Sequence, residues 1–191
     1  AACWSMDAIG PMTRTVEDAA LVLGAIAGPD PRDDWAADVP VPDYTDDLDA
    51  GVTGLRIGLI TELMDSQLVD ADVAAAVTES TRVLEGLGAS VDEVALPMVA
   101  HAGPIHWTLC YVEFGQANRD TIRYRPQELT HMVRIAVTAG SLLPGVMYYK
   151  ALQLRERLRN QVLEALTRFD VLVCPTMSSG APPRAADVYT K

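Results

Sequence analysis

Two short apolar segments flank an amphipathic one between residues 55 and 97. Residues 55–61, LRIGLIT, follow a glycine and predict a buried strand. Residues 70–87 carry apolar side chains at helical spacing, and Gly88 ends that pattern. Residues 89–97 alternate in polarity, which predicts a second strand. A strand, a helix and a strand in this order predict a βαβ unit, whose two strands run parallel.

The sequence after residue 97 predicts one further strand and several helices. Residues 98–168 predict helices, with a break at Pro126 and a long helix from about Gly145 to Arg168. A third buried strand is predicted at Phe169 to Thr176. The chain is therefore predicted to be α/β and rich in helix, with about three strands. The predicted single segment, 1–191, divides into an acidic Pro/Asp-rich loop (28–51), the strand-helix-strand unit (52–97), a helical pocket-wall region (98–168), and a strand and loop (169–191).

The first thirty residues predict a well-specified helix. Gly10 and Pro11 predict a turn. Thr15 stands three residues before Asp18, a spacing at which side chains cap the free N–H groups of a helix start. In the acidic loop that follows, Trp35 and Tyr44 are predicted to pin the chain to apolar surface, and its carboxylates are better explained by solvation than by a cation site.

Composition narrows the classes of partner. The formal net charge of −11 argues against direct binding to a nucleic-acid backbone, which requires clustered Lys and Arg. No apolar run reaches the length of a membrane span, and the N-terminus lacks a signal-peptide pattern. Cys3, Cys110 and Cys174 are far apart in sequence, which predicts reduced, mostly buried thiols and a cytoplasmic location.

Candidate catalytic residues do not form a recognisable set. Ser178 follows a predicted strand, but no Gly-x-Ser-x-Gly elbow surrounds it and no spacing links it to a histidine, so a polar loop is the better interpretation. His101 and His106 are five residues apart, a poor spacing for two metal ligands on a helix, and no metal site or cofactor is predicted. Lys150 is interpreted as a surface residue, although a desolvated base is the alternative.

Aromatic and basic residues of the helical region could instead form the wall of a pocket. These residues are Trp107, Tyr111, Arg134, Tyr148 and Tyr149. Cys110, in an apolar helix, and Cys174, in a predicted buried strand, are expected to be inert.

Residues 5–23, SMDAIGPMTRTVEDAALVL, resemble a motif of amidase signature enzymes, Ser-x-Asp-x-x-Gly-Pro-Met-x-Arg-Thr-x-x-Asp-Ala-Ala. Two further segments resemble the same family in the same order. YYKALQLRERL, residues 148–158, resembles its Tyr-x-x-Ala-x-x-x-Arg helix, and FDVLVCPTMSSGAPP, residues 169–183, resembles its Asp-Val-Leu-x-x-Pro-Thr strand end. The resemblance covers the whole chain and implies part of the amidase signature fold, a mixed sheet flanked by helices.

This resemblance implies an activity for a longer parent protein. The family cleaves carboxylic amides with a nucleophilic Ser, a bridging cis-Ser and a Lys, all of which would precede Ala1. The chain therefore resembles an internal to C-terminal segment, carries no catalytic residue of its own, and is expected to be inactive alone. The parent's partner is expected to be a small-molecule amide, with a homodimer left open.

The resemblance implies roles for particular residues. Trp107 and Tyr111 lie where family members build the substrate-pocket wall. Arg134 resembles an arginine that binds the substrate carboxylate in the glutamine-using branch, although an exposed helix arginine fits equally. The resemblance implies that motif residues hold backbone geometry, with Arg14 paired to a carboxylate; these residues are Asp7, Gly10, Pro11, Arg14 and Asp18.

Two alternatives remain open at this point. The parent could be the A-subunit-like glutaminase of a tRNA-dependent amidotransferase, which would need partner subunits. The chain could also be a non-catalytic remnant of an amidase that acts as a binding module.

Overall fold

The computed structural model describes residues 3–33, 36–65 and 67–181. The chain divides into two compact units. The smaller is Asp7–Gly51, and the larger joins Ala1–Met6 to Val52–Lys191. Trp35, the predicted anchor of the acidic loop, lies outside the described residues.

The smaller unit is built around helix α1, Val16–Ile26. The hydroxyl of Thr15 accepts a hydrogen bond from the backbone N–H of Asp18 at 3.0 Å, which confirms the predicted cap. Tyr44 lines a shallow groove beside α1 together with Ala20 and Val41, so the described part of the acidic loop contacts this helix.

The larger unit contains a three-stranded parallel sheet in the order β2-β1-β3. Its strands are β1 (Arg56–Ile60), β2 (Ser90–Val94) and β3 (Val171–Val173). Helix α2, Ala71–Gly86, connects β1 to β2, so the predicted βαβ unit with parallel strands is confirmed. Gly58 of the central strand admits close packing, because a Cβ there would lie 2.8 Å from a methyl carbon of Leu172.

The third strand is shorter and more exposed than the sequence predicts. It covers three residues of the predicted eight, and Val171 is 43% exposed. The predicted burial of Cys174 is wrong, because this residue follows the end of β3 and is exposed. The physical reason is the position of β3 in the sheet. Among the described residues β3 is an edge strand that pairs with β1 alone, and that pairing ends at Leu59 and Val173.

Helices make up most of the rest of the larger unit. They are α3 (Ala102–Ala117), α4 (Arg119–Tyr124), α5 (His131–Leu142) and α6 (Gly145–Ala165). The predicted break at Pro126 is confirmed as a short 3₁₀ turn, and α6 ends three residues before the predicted Arg168. Among the described residues, no helix is both long and apolar enough to cross a membrane.

Two apolar clusters hold the helices in place. The end of α6 packs on the sheet through Ala165 and the following Phe169, which join Ile60 and Val94 in one buried cluster. Nearer the start of α6, Ala151 packs against two buried side chains of α3 in a second cluster; the α3 residues are Ile105 and Leu109. Burial of each Ile, Val, Leu or Phe side chain in these clusters contributes about 1.5–3 kcal/mol to stability.

Candidate functional site

Helix α3 presents an aromatic pair. Trp107 and Tyr111 are one helical turn apart, and their ring centroids are 5.3 Å from each other. The ring of His106 meets Trp107 edge-on at 5.1 Å. Trp107 is 55% exposed, so the pair offers an apolar surface that a flat or apolar ligand could cover.

Close packing of α5 fixes the backbone beneath this pair. A Cβ at Gly140 would overlap the carbonyl group of Tyr111. A Cβ at Gly115 would lie 3.1 Å from the backbone nitrogen of Ser141. The backbones of α3 and α5 are therefore in direct contact, which only residues without a side chain allow.

Arg134 lies on the same helix as Gly140, six residues earlier. At 1.5 Å per residue it stands about 9 Å along α5 from the contact with Tyr111. Helix α5 begins beside it, where the hydroxyl of Thr130 accepts from the N–H of Val133. The structure thus brings Trp107 and Tyr111 together and places the exposed Arg134 farther along the neighbouring helix.

A buried carboxylate, Glu113, lies two residues beyond Tyr111 on α3 and is 5% exposed. It accepts hydrogen bonds from the backbone N–H of Ser5 at 3.0 Å and from the Ser5 hydroxyl. The thiol of Cys3 donates to it at 3.2 Å, and the phenol of Tyr148 donates at 2.9 Å. Four donors from two distant parts of the sequence therefore meet at one carboxylate.

Helix α6 adds a cation to this cluster. Tyr148 and Arg155 are seven residues apart, which places both on one face of α6. The guanidinium of Arg155 donates to the Ser5 carbonyl at 3.3 Å and to the Ser5 hydroxyl at 3.2 Å. Arg155 is half-buried because it reaches the segment around Ser5.

Hydrogen bonding decides the charge state of the cluster. Burial raises the pKa of Glu113, but hydrogen bonds from Ser5, Tyr148 and Cys3 outweigh burial and lower the pKa below its usual value. Burial and the hydrogen bond to Glu113 raise the pKa of Tyr148 to about 12. Burial, a hydrogen bond with Cys110 and one with Glu113 raise the pKa of Cys3. At neutral pH Glu113 is therefore an ionised carboxylate that accepts from neutral donors, while the Arg155 cation binds Ser5 beside it. This arrangement is suited to fixing the chain and not to accepting a proton.

The matched residues around the Gly-Pro turn lie in the smaller unit. Asp18 occupies the first turn of α1, where its N–H is capped. Arg14 is exposed, and the ion pairs found among the described residues do not include it. The expected pairing of Arg14 is therefore not seen in this part of the chain.

The remaining candidates are separate from the Glu113 cluster. Ser178 is exposed, and its carbonyl accepts from the N–H of Asp70 at 2.8 Å, which ties the loop after β3 to the start of α2. His101 and Lys150 line a largely apolar cavity of about 400 Å³ between α3 and α6. Within the described ranges, no group of three or more His, Cys, Asp or Glu side chains is placed to hold a metal ion.

Comparison with known proteins places the chain in a family. The Amidase family model matches residues 1–191. The chain belongs to the amidase family. An amidase of Pseudomonas putida is 37% identical over 187 residues, a match that covers 98% of this chain and 40% of that protein. The A-subunit of the glutamyl-tRNA(Gln) amidotransferase of Rubrobacter xylanophilus is 34% identical, covering 96% of this chain and 44% of that protein.

Solved structures share the fold of this chain. A chain from a vestigial protein complex, described as revealing the origins of an s-triazine catabolic enzyme, is 28% identical with a TM-score of 0.81, over 91% of this chain and 37% of that one. The A-subunit of the Thermotoga maritima glutamyl-tRNA(Gln) amidotransferase superposes with a TM-score of 0.74 at 22% identity, over 96% of this chain and 40% of that one. This amidase segment thus spans about 40% of the length of the relatives it matches.

Sequence reasoning missed the role of Glu113, but a signal for it was present. Ser5 opens the first amidase motif, and Tyr148 and Arg155 are the first and last residues of the Tyr-x-x-Ala-x-x-x-Arg motif. The alanine of that motif, Ala151, is the residue buried against α3. The two motifs therefore meet in space, and Glu113 is the side chain on which they converge.

Proposed function

We propose that the full-length protein hydrolyses carboxylic amides and that this segment supplies part of its substrate pocket. The observation that carries the proposal is the 37% identity, over nearly the whole chain, to a protein named amidase. The family match over residues 1–191 agrees with it.

The chemistry requires groups outside this chain. A Ser hydroxyl attacks the amide carbon while a Lys, acting through a second Ser, takes its proton and passes it to the leaving amine. Backbone N–H groups hold the oxyanion, and water then cleaves the acyl-enzyme. We place those groups before Ala1, so the isolated chain is expected to release no product.

The segment itself would bind the substrate and position the chain. Trp107 and Tyr111 offer an aromatic surface for the apolar part of the amide. The Glu113 cluster would hold the segment containing Ser5, and with it the chain that precedes it, against α3 and α6. A binding and positioning role fits the state of Glu113. Its buried carboxylate is hydrogen-bonded to several donors and has a lowered pKa, so it is suited to holding the chain and not to accepting a proton.

Ammonia release from simple amides by the purified full-length protein tests the proposal. Replacement of the Ser predicted to be nucleophilic by Ala should abolish release, whereas Ser178→Ala should leave it unchanged. Absence of turnover on aliphatic, aryl and glutamine-type amides would overturn the proposal and favour a non-catalytic binding module. Loss of turnover in Ser178→Ala would place the chemistry on this segment instead.

A second candidate is the glutaminase component of a tRNA-dependent amidotransferase. It is favoured by the similarity, at 33–37% identity, to several proteins named as the A-subunit of glutamyl-tRNA(Gln) amidotransferase. The fork of Arg134 would then bind the carboxylate of glutamine. Glutamine hydrolysis that depends on partner subunits and is lost in Arg134→Ala would support this candidate, whereas hydrolysis of simple amides with Arg134→Ala unaffected would exclude it. Mass measurement in solution would test whether the protein is a homodimer.

A further inference from the structure

Two of the three cysteines lie side by side although 107 positions separate them in sequence. Cys3 is 4% exposed, and its thiol donates to Glu113 at 3.2 Å. Cys110 precedes Glu113 by three residues on α3, which places both on one side of the helix. The thiols of Cys3 and Cys110 are themselves hydrogen-bonded. The segment around Cys3 therefore places the Cys3 sulfur next to the Cys110 sulfur.

Cys110 also has a base beside it. Its sulfur is 3.6 Å from both ring nitrogens of His106, one helical turn earlier. His106 is exposed and Cys110 is half-buried, so a small solute reaches Cys110 more readily than the buried Cys3. The imidazole can take up the thiol proton when Cys110 reacts.

We propose that Cys3 and Cys110 form an oxidative modification site, in which a peroxide converts the two thiols to a disulfide. The Cys110 thiolate attacks one peroxide oxygen, the O–O bond breaks, and Cys110 becomes a sulfenic acid with release of water or an alcohol. The Cys3 sulfur then attacks the sulfenic sulfur, the S–O bond breaks, and the Cys3 proton leaves with the hydroxyl as water. The two thiols lose two electrons and the peroxide gains them.

The order of attack follows from the surroundings of each sulfur. Cys3 is buried beside an ionised carboxylate, which disfavours its thiolate and leaves it as the resolving partner. The disulfide would tie the segment around Cys3 covalently to α3 and remove the thiol donor from Glu113. Cys174 is exposed, follows β3 and lies outside the pair, so it serves as the control cysteine.

Peptide mapping after peroxide treatment tests this. The full-length protein is exposed to a small excess of hydrogen peroxide, alkylated, digested with trypsin and analysed by mass spectrometry. The peptide that contains Cys3 and ends at Arg14 should be found linked to peptide 83–119, which contains Cys110. Reduction with dithiothreitol should separate the two linked peptides. In Cys174→Ser the yield should equal that of the wild type.

Variants separate the proposal from random oxidation. Cys3→Ser should leave a sulfenic acid at Cys110 that dimedone traps, and Cys110→Ser should leave Cys3 reduced. His106→Gln, an exposed change that keeps the helix, should slow formation of the linked peptide. Oxidation of Cys174 with Cys3 and Cys110 still reduced, or separate irreversible oxidation of Cys110 with Cys3 intact, would overturn the proposal.

Discussion

The backbone of Gly140 on α5 lies directly against the carbonyl group of Tyr111 on α3, with no room for a Cβ. This contact fixes α5, which carries Arg134, relative to the helix that carries the aromatic pair. Glycine is required here for space and not for an unusual backbone angle, since Gly140 has no positive φ.

Gly140→Ala should separate the two helices. Overpacking of a tight contact costs about 1–3 kcal/mol, so the midpoint of chemical unfolding of the full-length protein should fall. Gly103→Ala is the matched control on α3, because nothing lies within 4 Å of a Cβ at that position. An alanine there should be neutral or raise stability by up to about 1 kcal/mol. Equal midpoints for both variants would contradict the close contact.

Glu113→Gln should destabilise the protein, since an amide offers an N–H₂ group to donors that need an acceptor. An unsatisfied buried polar group costs about 1–3 kcal/mol. Because the pKa of Glu113 is lowered, its contribution is present above the usual carboxyl pKa and is lost as the pH falls through the lower folded value. Unfolding midpoints from pH 7 downwards should therefore converge for wild type and variant in acid. Glu156→Gln, in an exposed ion pair with Arg159, should change little.

Tyr148→Phe removes one donor from the same carboxylate and should cost about 1 kcal/mol. The raised pKa means that the native state keeps this phenol neutral while the unfolded chain ionises. Its contribution is complete below pH 10 and is lost as the pH rises through about 12. A titration of tyrosinate absorbance should show a late-ionising phenol in the wild type that is lost in Tyr148→Phe. Tyr149→Phe should keep the late-ionising phenol, since Tyr149 is 63% exposed. Loss of the late ionisation in Tyr149→Phe would show that it does not belong to Tyr148.

Local signals predicted much of the fold. The cap at Thr15 depends on residues three apart, and the strand-helix-strand pattern before Pro97 depends on periodicity within each segment. The burial of Cys174 was predicted wrongly because an apolar strand sequence does not tell whether it lies at the edge or the centre of a sheet.

The candidate site depended on contacts that periodicity cannot show. Ser5 and Glu113 are 108 positions apart, and Tyr148 is a further 35. Helical spacing relates Tyr148 to Arg155, but not either of them to the first motif. Only the recurrence of both motifs in one family pointed to a shared environment, and the acceptor between them, Glu113, belongs to neither.

Trp107→Ala tests the proposed pocket wall and rests on the proposed amidase activity. Loss of the aromatic surface should lower kcat/KM for an aryl amide by about tenfold, equivalent to about 1.4 kcal/mol, mainly through KM. Trp107→Phe should retain most of the activity, and Tyr124→Ala, an exposed aromatic on α4, should retain all of it. Unchanged KM in Trp107→Ala would remove this residue from the substrate site without affecting the assignment of the activity.

Asp170→Asn should weaken the junction between β1 and the chain entering β3. Asp170 accepts two hydrogen bonds from the Arg56 guanidinium, at 2.7 and 3.1 Å, and one from the Arg56 backbone at 2.9 Å. These bonds lower its pKa from 3.8 to about 2. The stabilisation is therefore present above pH 3.8 and disappears as the pH falls through about 2. Unfolding midpoints of wild type and Asp170→Asn should differ at neutral pH and converge in that acid range, while Asp92→Asn, an exposed change on β2, should follow the wild type throughout. A difference that persists unchanged below pH 2 would mean that packing, and not the ionised carboxylate, holds this junction.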